Sequence, residues 1–79
     1  MAEKTHEQEW ADRAKRFLKA ELKRADLTYE ELAAKLRDKG WTESQASVAS
    51  KLSRGAFTAT FFLAVLAEIG VEVVRLGEI

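Results

Sequence analysis

Apolar residues recur along the chain in four stretches at helical spacing. In the first, Trp10, Ala14, Phe17, Leu18 and Leu22 fall on one stripe, which predicts a helix over about His6–Arg24. In the second, Leu32, Ala33 and Leu36 predict a helix over about Tyr29–Lys39. In the third, Ala46, Val48, Ala49 and Leu52 form the inward side of a helix over about Glu43–Arg54. The fourth, Ala59–Ile69, is apolar nearly all round through Phe61, Phe62, Leu63, Val65, Leu66 and Ile69. A helix with so little polar surface is the hub of a core or part of an interface. After Gly70 the period changes. Val71-Glu72-Val73-Val74-Arg75-Leu76 is rich in β-branched residues and predicts a short strand. The chain offers it no second strand. It therefore packs down as an extended tail or pairs with the same segment of a second copy.

Start and stop signals fall where this periodicity needs them. A Thr hydroxyl can accept from unsatisfied N–H groups of a first turn, and a Glu or Gln three residues later can return the bond. Thr5 with Gln8, Thr28 with Glu31 and Thr42 with Gln45 have that spacing. Thr58 lacks the box but is bracketed by Phe57 and Phe62 at staple spacing, as Thr28 is by Leu27 and Leu32. Gly40, Gly55 and Gly70 each follow a periodic segment, where a left-handed residue closes a helix. The predicted fold class is all-α: a small four-helix domain containing a helix-turn-helix, with a short C-terminal extended or β segment. Residues 1–79 form one domain, with 71–79 as its tail.

Composition narrows the chemistry. A chain of 79 residues has room for one domain. It contains no Cys, which excludes disulfides, thiolate metal sites and thiol nucleophiles, and fits a reducing cytoplasm. His6 is its only His, and a lone imidazole makes no transition-metal site without several carboxylates. Met1 to Trp10 is polar and charged, unlike a secretory leader. The longest apolar run, Ala59 to Val74, is interrupted by Glu68, Gly70 and Glu72 and is too short to span a bilayer. The acidic residues sit near caps or in helical pairs such as Glu31 with Lys35, where helix electrostatics accounts for them. No nucleophile–base pair, phosphate-binding Gly loop or metal spacing is present. The expectation is a cytoplasmic, non-enzymatic domain with no cofactor, no metal, no membrane and no small-molecule substrate.

Charge changes the picture through its distribution. The formal net charge is zero. Residues 1–12 sum to −3 and residues 56–79 to −2, whereas residues 13–55 sum to +5. A basic middle between acidic ends is compatible with a polyanionic partner for the middle.

That middle holds the second and third helices. In a helix-turn-helix one helix props another, whose exposed face enters the major groove. The outward positions of the third helix are Ser44, Gln45, Ser47, Ser50, Lys51 and Arg54. Short polar side chains permit close approach to base edges, and Gln can pair bidentately with adenine. Lys51 and Arg54 would take phosphates, which position a protein without reading sequence. The same residue types also suit an ordinary solvated helix face.

The stretch Leu27-Thr28-Tyr29-Glu30-Glu31-Leu32-Ala33-Ala34-Lys35-Leu36 resembles the opening of the Cro/repressor-type helix-turn-helix. Lys51-Leu52-Ser53-Arg54-Gly55 is similar to the end of its recognition helix and the turn after it. Leu63, Leu66, Ile69, Gly70 and Val71 resemble its closing helix and turn. The likeness covers roughly Phe17 to Val71. The chain also resembles short bacterial proteins of a domain-of-unknown-function family, with a TYxELAxKL stretch, an SRGxF turn and a last helix ending in IGV. Two departures stand out. The segment between Leu36 and Gly55 is longer than the pattern, with extra residues around Arg37-Asp38-Lys39-Gly40-Trp41 that could tilt the third helix. An acidic residue common near the end of the recognition helix is here Ser53.

Two readings of function follow. In the first, the domain binds double-stranded DNA through the third helix as a transcriptional regulator. It forms a homodimer through Val71–Leu76 and the fourth helix. In the second, the fold is kept, DNA is not bound, and the fourth helix or tail docks another chain. Trp10 and Trp41 are read as core anchors, because aromatics mostly bury area. The basic residues of the first helix, Arg13, Lys15, Arg16, Lys19, Lys23 and Arg24, are read as its solvated face.

Overall fold

The computed structural model describes residues 3–79, so Met1 and Ala2 of the expected domain lie outside the described residues. Four α-helices form: α1 (His6–Arg24), α2 (Tyr29–Asp38), α3 (Gln45–Arg54) and α4 (Ala59–Ile69). A single 3-10 turn, Leu76–Glu78, follows near the C-terminus. The bounds of α1 and α4 coincide with those the periodicity predicts, and α2 ends one residue early.

Local capping explains the starts. Thr5 and Gln8 exchange bonds at the head of α1, as Thr28 and Glu31 do at the head of α2. Glu31 is thereby held below the usual carboxylate range, first by the backbone N–H of Thr28 and then by its hydroxyl. Its carboxylate serves the cap rather than an ion pair with Lys35. Thr58 caps α4, and the rings of Phe57 and Phe62 stack beside it with an interplanar angle of 3°.

The stops share a device that the Gly pattern reveals only in part. The N–H groups of Leu27, Trp41 and Val71 reach back to the carbonyls of Leu22, Leu36 and Leu66, at 3.0, 3.0 and 2.9 Å. Each bond closes its helix with an apolar residue folded over a buried Leu, which is the Schellman arrangement. At the end of α1 the left-handed residue is Asp26, with φ 57°, where no Gly marks the turn.

The core draws on every helix: Leu18 and Leu22 from α1, Leu32, Ala33 and Leu36 from α2, Val48 and Leu52 from α3, and Phe61, Val65 and Leu66 from α4. Helices α1 and α2 each pack across both α3 and α4. The chain bends by 114° between α3 and α4. Gly55 makes that bend with φ 66°, and a Cβ there would lie 3.0 Å from the carbonyl oxygen of Ala11.

Of the two courses expected for the tail, packed segment or strand, the structure shows the first. Val71–Leu76 forms no strand; residues 71–75 take no regular secondary structure, with Val71 and Val74 packed on the core and Val73 in water. A strand needs a neighbour for its backbone groups. Here Arg13 of α1 supplies donors instead, its Nε reaching Ile79 O at 3.0 Å and its second guanidinium nitrogen Leu76 O at 3.3 Å. The same guanidinium lies 4.2 Å over the ring of Trp10, whose Nε1–H donates to His6 Nε2. Trp10 is thus half-buried beneath Arg13 rather than a core anchor. Trp41 is half-buried too, but it joins the core edge-on to Phe61 of α4.

Candidate nucleic-acid interface

Helix α3 is the element whose outward face the sequence singles out, and its start is displaced from the expected one. Ser44, not Thr42, is the N-cap. Its hydroxyl accepts from Ser47 N–H, and Ser47 Oγ accepts from Ser44 N–H at 2.8 Å. The helix begins at Gln45, two residues after the expected Glu43. Thr42–Gln45 and Ser44–Ser47 have the same spacing, so local chemistry alone does not separate them.

Glu43 separates them. It turns inward and is 6% exposed, the only buried charged residue among those described. Ser47 Oγ donates to one carboxylate oxygen at 2.7 Å, and Lys51 Nζ donates to the other. The Lys51 ammonium also lies 4.7 Å over the ring of Phe61. Burial pushes the Glu43 carboxyl up. The bonds from Lys51 and Ser47, with the Lys51 charge, outweigh it and leave the group below its ordinary value. Arg37 of α2 donates to Glu43 O at 3.0 Å and to Glu30 at 2.9 Å, tying α2 to the turn. That connection, Lys39–Ser44, is six residues long. The extra length the sequence shows accommodates the Gly40 closure, the packed Trp41 and the buried Glu43.

The six expected site residues therefore divide. Ser44 and Ser47 are engaged in the cap, and Lys51 is paired with Glu43 and laid on Phe61. Lys51, expected to face outward, is thus half-buried. Gln45, Ser50 and Arg54 are exposed. Ala46, expected inward, is exposed as well, because Val48 and Leu52 centre the buried side and place Ala46, Ser50 and Ser53 opposite. Counting outward from the Val48–Leu52 pair is the signal that would have found Ala46 and Ser53. At the far end of α3, Lys15 of α1 donates to Ser53 O at 3.3 Å and satisfies a terminal carbonyl.

The outer face is thus made of Ala46, Ser50, Ser53 and Arg54, with Gln45 on the first turn. The first turn of α3 contains no acidic residue. The one carboxylate of the neighbouring turn that approaches this helix, Glu43, is buried and neutralised by Lys51. Other cations are committed elsewhere: Lys39 to Glu68, Arg24 to Glu21 and Lys4 to Asp12. The Lys4 bond holds Asp12 below the usual carboxylate range.

Two hollows lie away from α3. A groove of about 350 Å³ runs between α1 and the tail, lined by Arg13, Arg16, Arg24, Glu21 and Glu78. An apolar slot of about 240 Å³ is bounded by Trp10, Phe57, Phe62 and Leu76. Among the described residues no group of three or more His, Asp or Glu side chains is placed to hold a metal ion, and no single helix is long and apolar enough to cross a membrane.

Residues 10–74 match the family described as a domain of unknown function, DUF6471, and the chain belongs to that family. Comparison with curated proteins and with solved structures returns no match.

Proposed function

We propose that this member of the DUF6471 family binds double-stranded DNA through the outer face of α3, in the manner of a Cro/repressor-type helix-turn-helix. One observation carries the reading. The exposed side of α3 is small, polar and free of carboxylates, and it ends in Arg54, whose side chain is exposed. Ala46, Ser50 and Ser53 let a backbone approach base edges closely, and Ala46 offers a methyl to a thymine methyl. Gln45 supplies an amide for adenine, and Arg54 a charge for phosphate. The inward turn of Glu43 supports the reading, because it removes a negative charge from the side that would face DNA. Lys51 is then a positioning residue: it neutralises Glu43 and contributes little to phosphate binding.

Fluorescence anisotropy of a labelled random-sequence duplex, at low and at moderate salt, tests this. The wild type should bind with an affinity that falls as salt rises. Arg54→Ala should weaken binding and reduce the salt slope by about one. Ala46→Glu should abolish binding with the helix content unchanged. Lys51→Ala should weaken it less than Arg54→Ala. The absence of salt-dependent binding in the wild type, or full binding by Ala46→Glu, overturns the proposal.

A second reading, a protein-interaction domain that does not bind DNA, is favoured by the exposed apolar side chains of Leu63, Val73 and Leu76, at 62, 72 and 66%.

A further inference from the structure

The start of α3 is as informative for the side chains it withholds as for those it presents. In the major groove a G·C pair is read by Arg or Lys on guanine O6 and N7, or by Asp or Glu accepting from cytosine N4. An A·T pair is read by an Asn or Gln amide on adenine N6 and N7, and by an apolar group against the thymine methyl. Two residues at or near the first turns of α3 belong to the first set, Glu43 and Lys51. Both are withdrawn: Glu43 is 6% exposed, and the Lys51 ammonium is paired with its carboxylate and laid over the Phe61 ring. Gln45 and Ala46 belong to the second set, and both are exposed on the first turn. We infer that the domain selects duplex sites with A·T pairs beneath the first turn of α3, Gln45 taking adenine and Ala46 a thymine methyl, and that the buried Glu43–Lys51 pair removes the means of reading G·C.

This inference rests on the proposed DNA binding by α3 and adds which base pairs that face accepts. The position of the residues matters, because the N-terminal end of a recognition helix is the part that meets base edges. Gln45 and Ala46 lie there, whereas Arg54 lies in the last turn, at the end suited to phosphate. Ser50 can pair with either kind of base pair and adds no preference. The withdrawal of the charged pair is held from several sides. Ser47 Oγ donates to the second carboxylate oxygen of Glu43 at 2.7 Å, and Arg37 donates to the Glu43 carbonyl at 3.0 Å. Turning Lys51 out towards guanine would leave the Glu43 carboxylate buried without its cation, a strongly unfavourable state. A guanine beneath the first turn therefore meets no cation, and its cytosine meets no carboxylate. The cytosine also presents no C5 methyl to Ala46.

The test selects duplexes from a random-core pool with the full chain, then remakes the enriched duplex with base analogues. The enriched cores should share A·T pairs. Uracil in place of thymine removes the C5 methyl and should weaken binding by the wild type about fourfold, the worth of one buried methyl group. The same exchange should leave Ala46→Gly unaffected. Replacing adenine by 7-deazaadenine removes N7 and should weaken the wild type about fivefold, the low end for a bidentate base contact. It should leave Gln45→Ala unaffected. Both analogues act in the major groove, so a preference arising from minor-groove width would not respond to them. They are also read with the wild-type protein, so the folding of a variant does not decide the result. Enriched cores that share G·C pairs, salt-dependent binding with no enrichment, or analogues bound as tightly as the natural bases overturn this inference and leave DNA binding by α3 standing. No binding to any duplex at low salt overturns both.

Discussion

The two turns that flank α3 solve one problem by opposite means. Before the helix, the chain is locked by polar groups: Arg37 on Glu43 O, Ser44 with Ser47, and the Glu43 carboxylate held by Ser47 and Lys51. After it, the lock is aromatic, with Phe57 stacked on Phe62 and tilted on Phe61 across a bend made at Gly55. The polar lock is directional and fixes the rotation and starting residue of α3. The aromatic lock is less directional and supplies mainly buried area. Phe61 joins them, meeting Trp41 edge-on, Phe57 at 5.7 Å and the Lys51 ammonium on its face.

The joint is where the comparison breaks most severely. Phe61→Ala should destabilise the domain by about 3–5 kcal/mol, as large-to-small changes at buried aromatics do. Both locks lose a wall, so urea unfolding should show a larger midpoint shift than for Glu43→Gln or Gly55→Ala. Glu43→Gln attacks the polar lock alone. It should reduce stability by about 1.5–3 kcal/mol, the range for a charged hydrogen bond at a buried group. It should leave the Phe57–Phe62 stack intact, which aromatic ring NMR shifts would report.

Gly55→Ala attacks the bend of the aromatic turn. A left-handed backbone disfavours any Cβ by about 1–2 kcal/mol, and here the new methyl also meets Ala11 O at 3.0 Å. Gly70→Ala is the matched control, since Gly70 has φ 90° with open space around it. The excess loss at Gly55 measures the close approach of α1.

The smallest effect is a pH dependence, and its sign follows from Glu43. The folded state holds this carboxyl below its ordinary 4.5. Its contribution is therefore full above that value and is lost as pH falls through the depressed folded value. The stability gap between wild type and Glu43→Gln should narrow from pH 7 to about pH 3, while the gap between wild type and Gly55→Ala stays constant. Comparing variants removes the parallel contributions of Asp12 and Glu31, both also depressed.

The same division decides what was legible in the sequence. Thr5–Gln8, Thr28–Glu31 and the Phe57–Thr58–Phe62 staple act within a turn or two of chain, and they mark α1, α2 and α4 at their observed starts. The candidate face was half legible. The exposure of Gln45, Ser50 and Arg54 was legible because polar residues off the apolar stripe of a periodic helix face water. The pairing of Lys51 was not legible because its partners, Glu43 and Phe61, come from another turn and another helix.

By itself, then, the sequence determined the all-α class, the four helices and the stops marked by Gly40, Gly55 and Gly70, because caps, staples and apolar periodicity are local and mutually consistent. It also excluded disulfide and thiol chemistry outright through the absence of Cys. Tertiary structure alone decided which of two equivalent caps starts α3, that Lys51 neutralises a buried carboxylate, and that Val71–Leu76 lies down under Arg13 rather than forming a strand. In each case the outcome turns on desolvating a charge or satisfying a backbone group. The energy of doing so depends on side chains that only the packed molecule brings within reach.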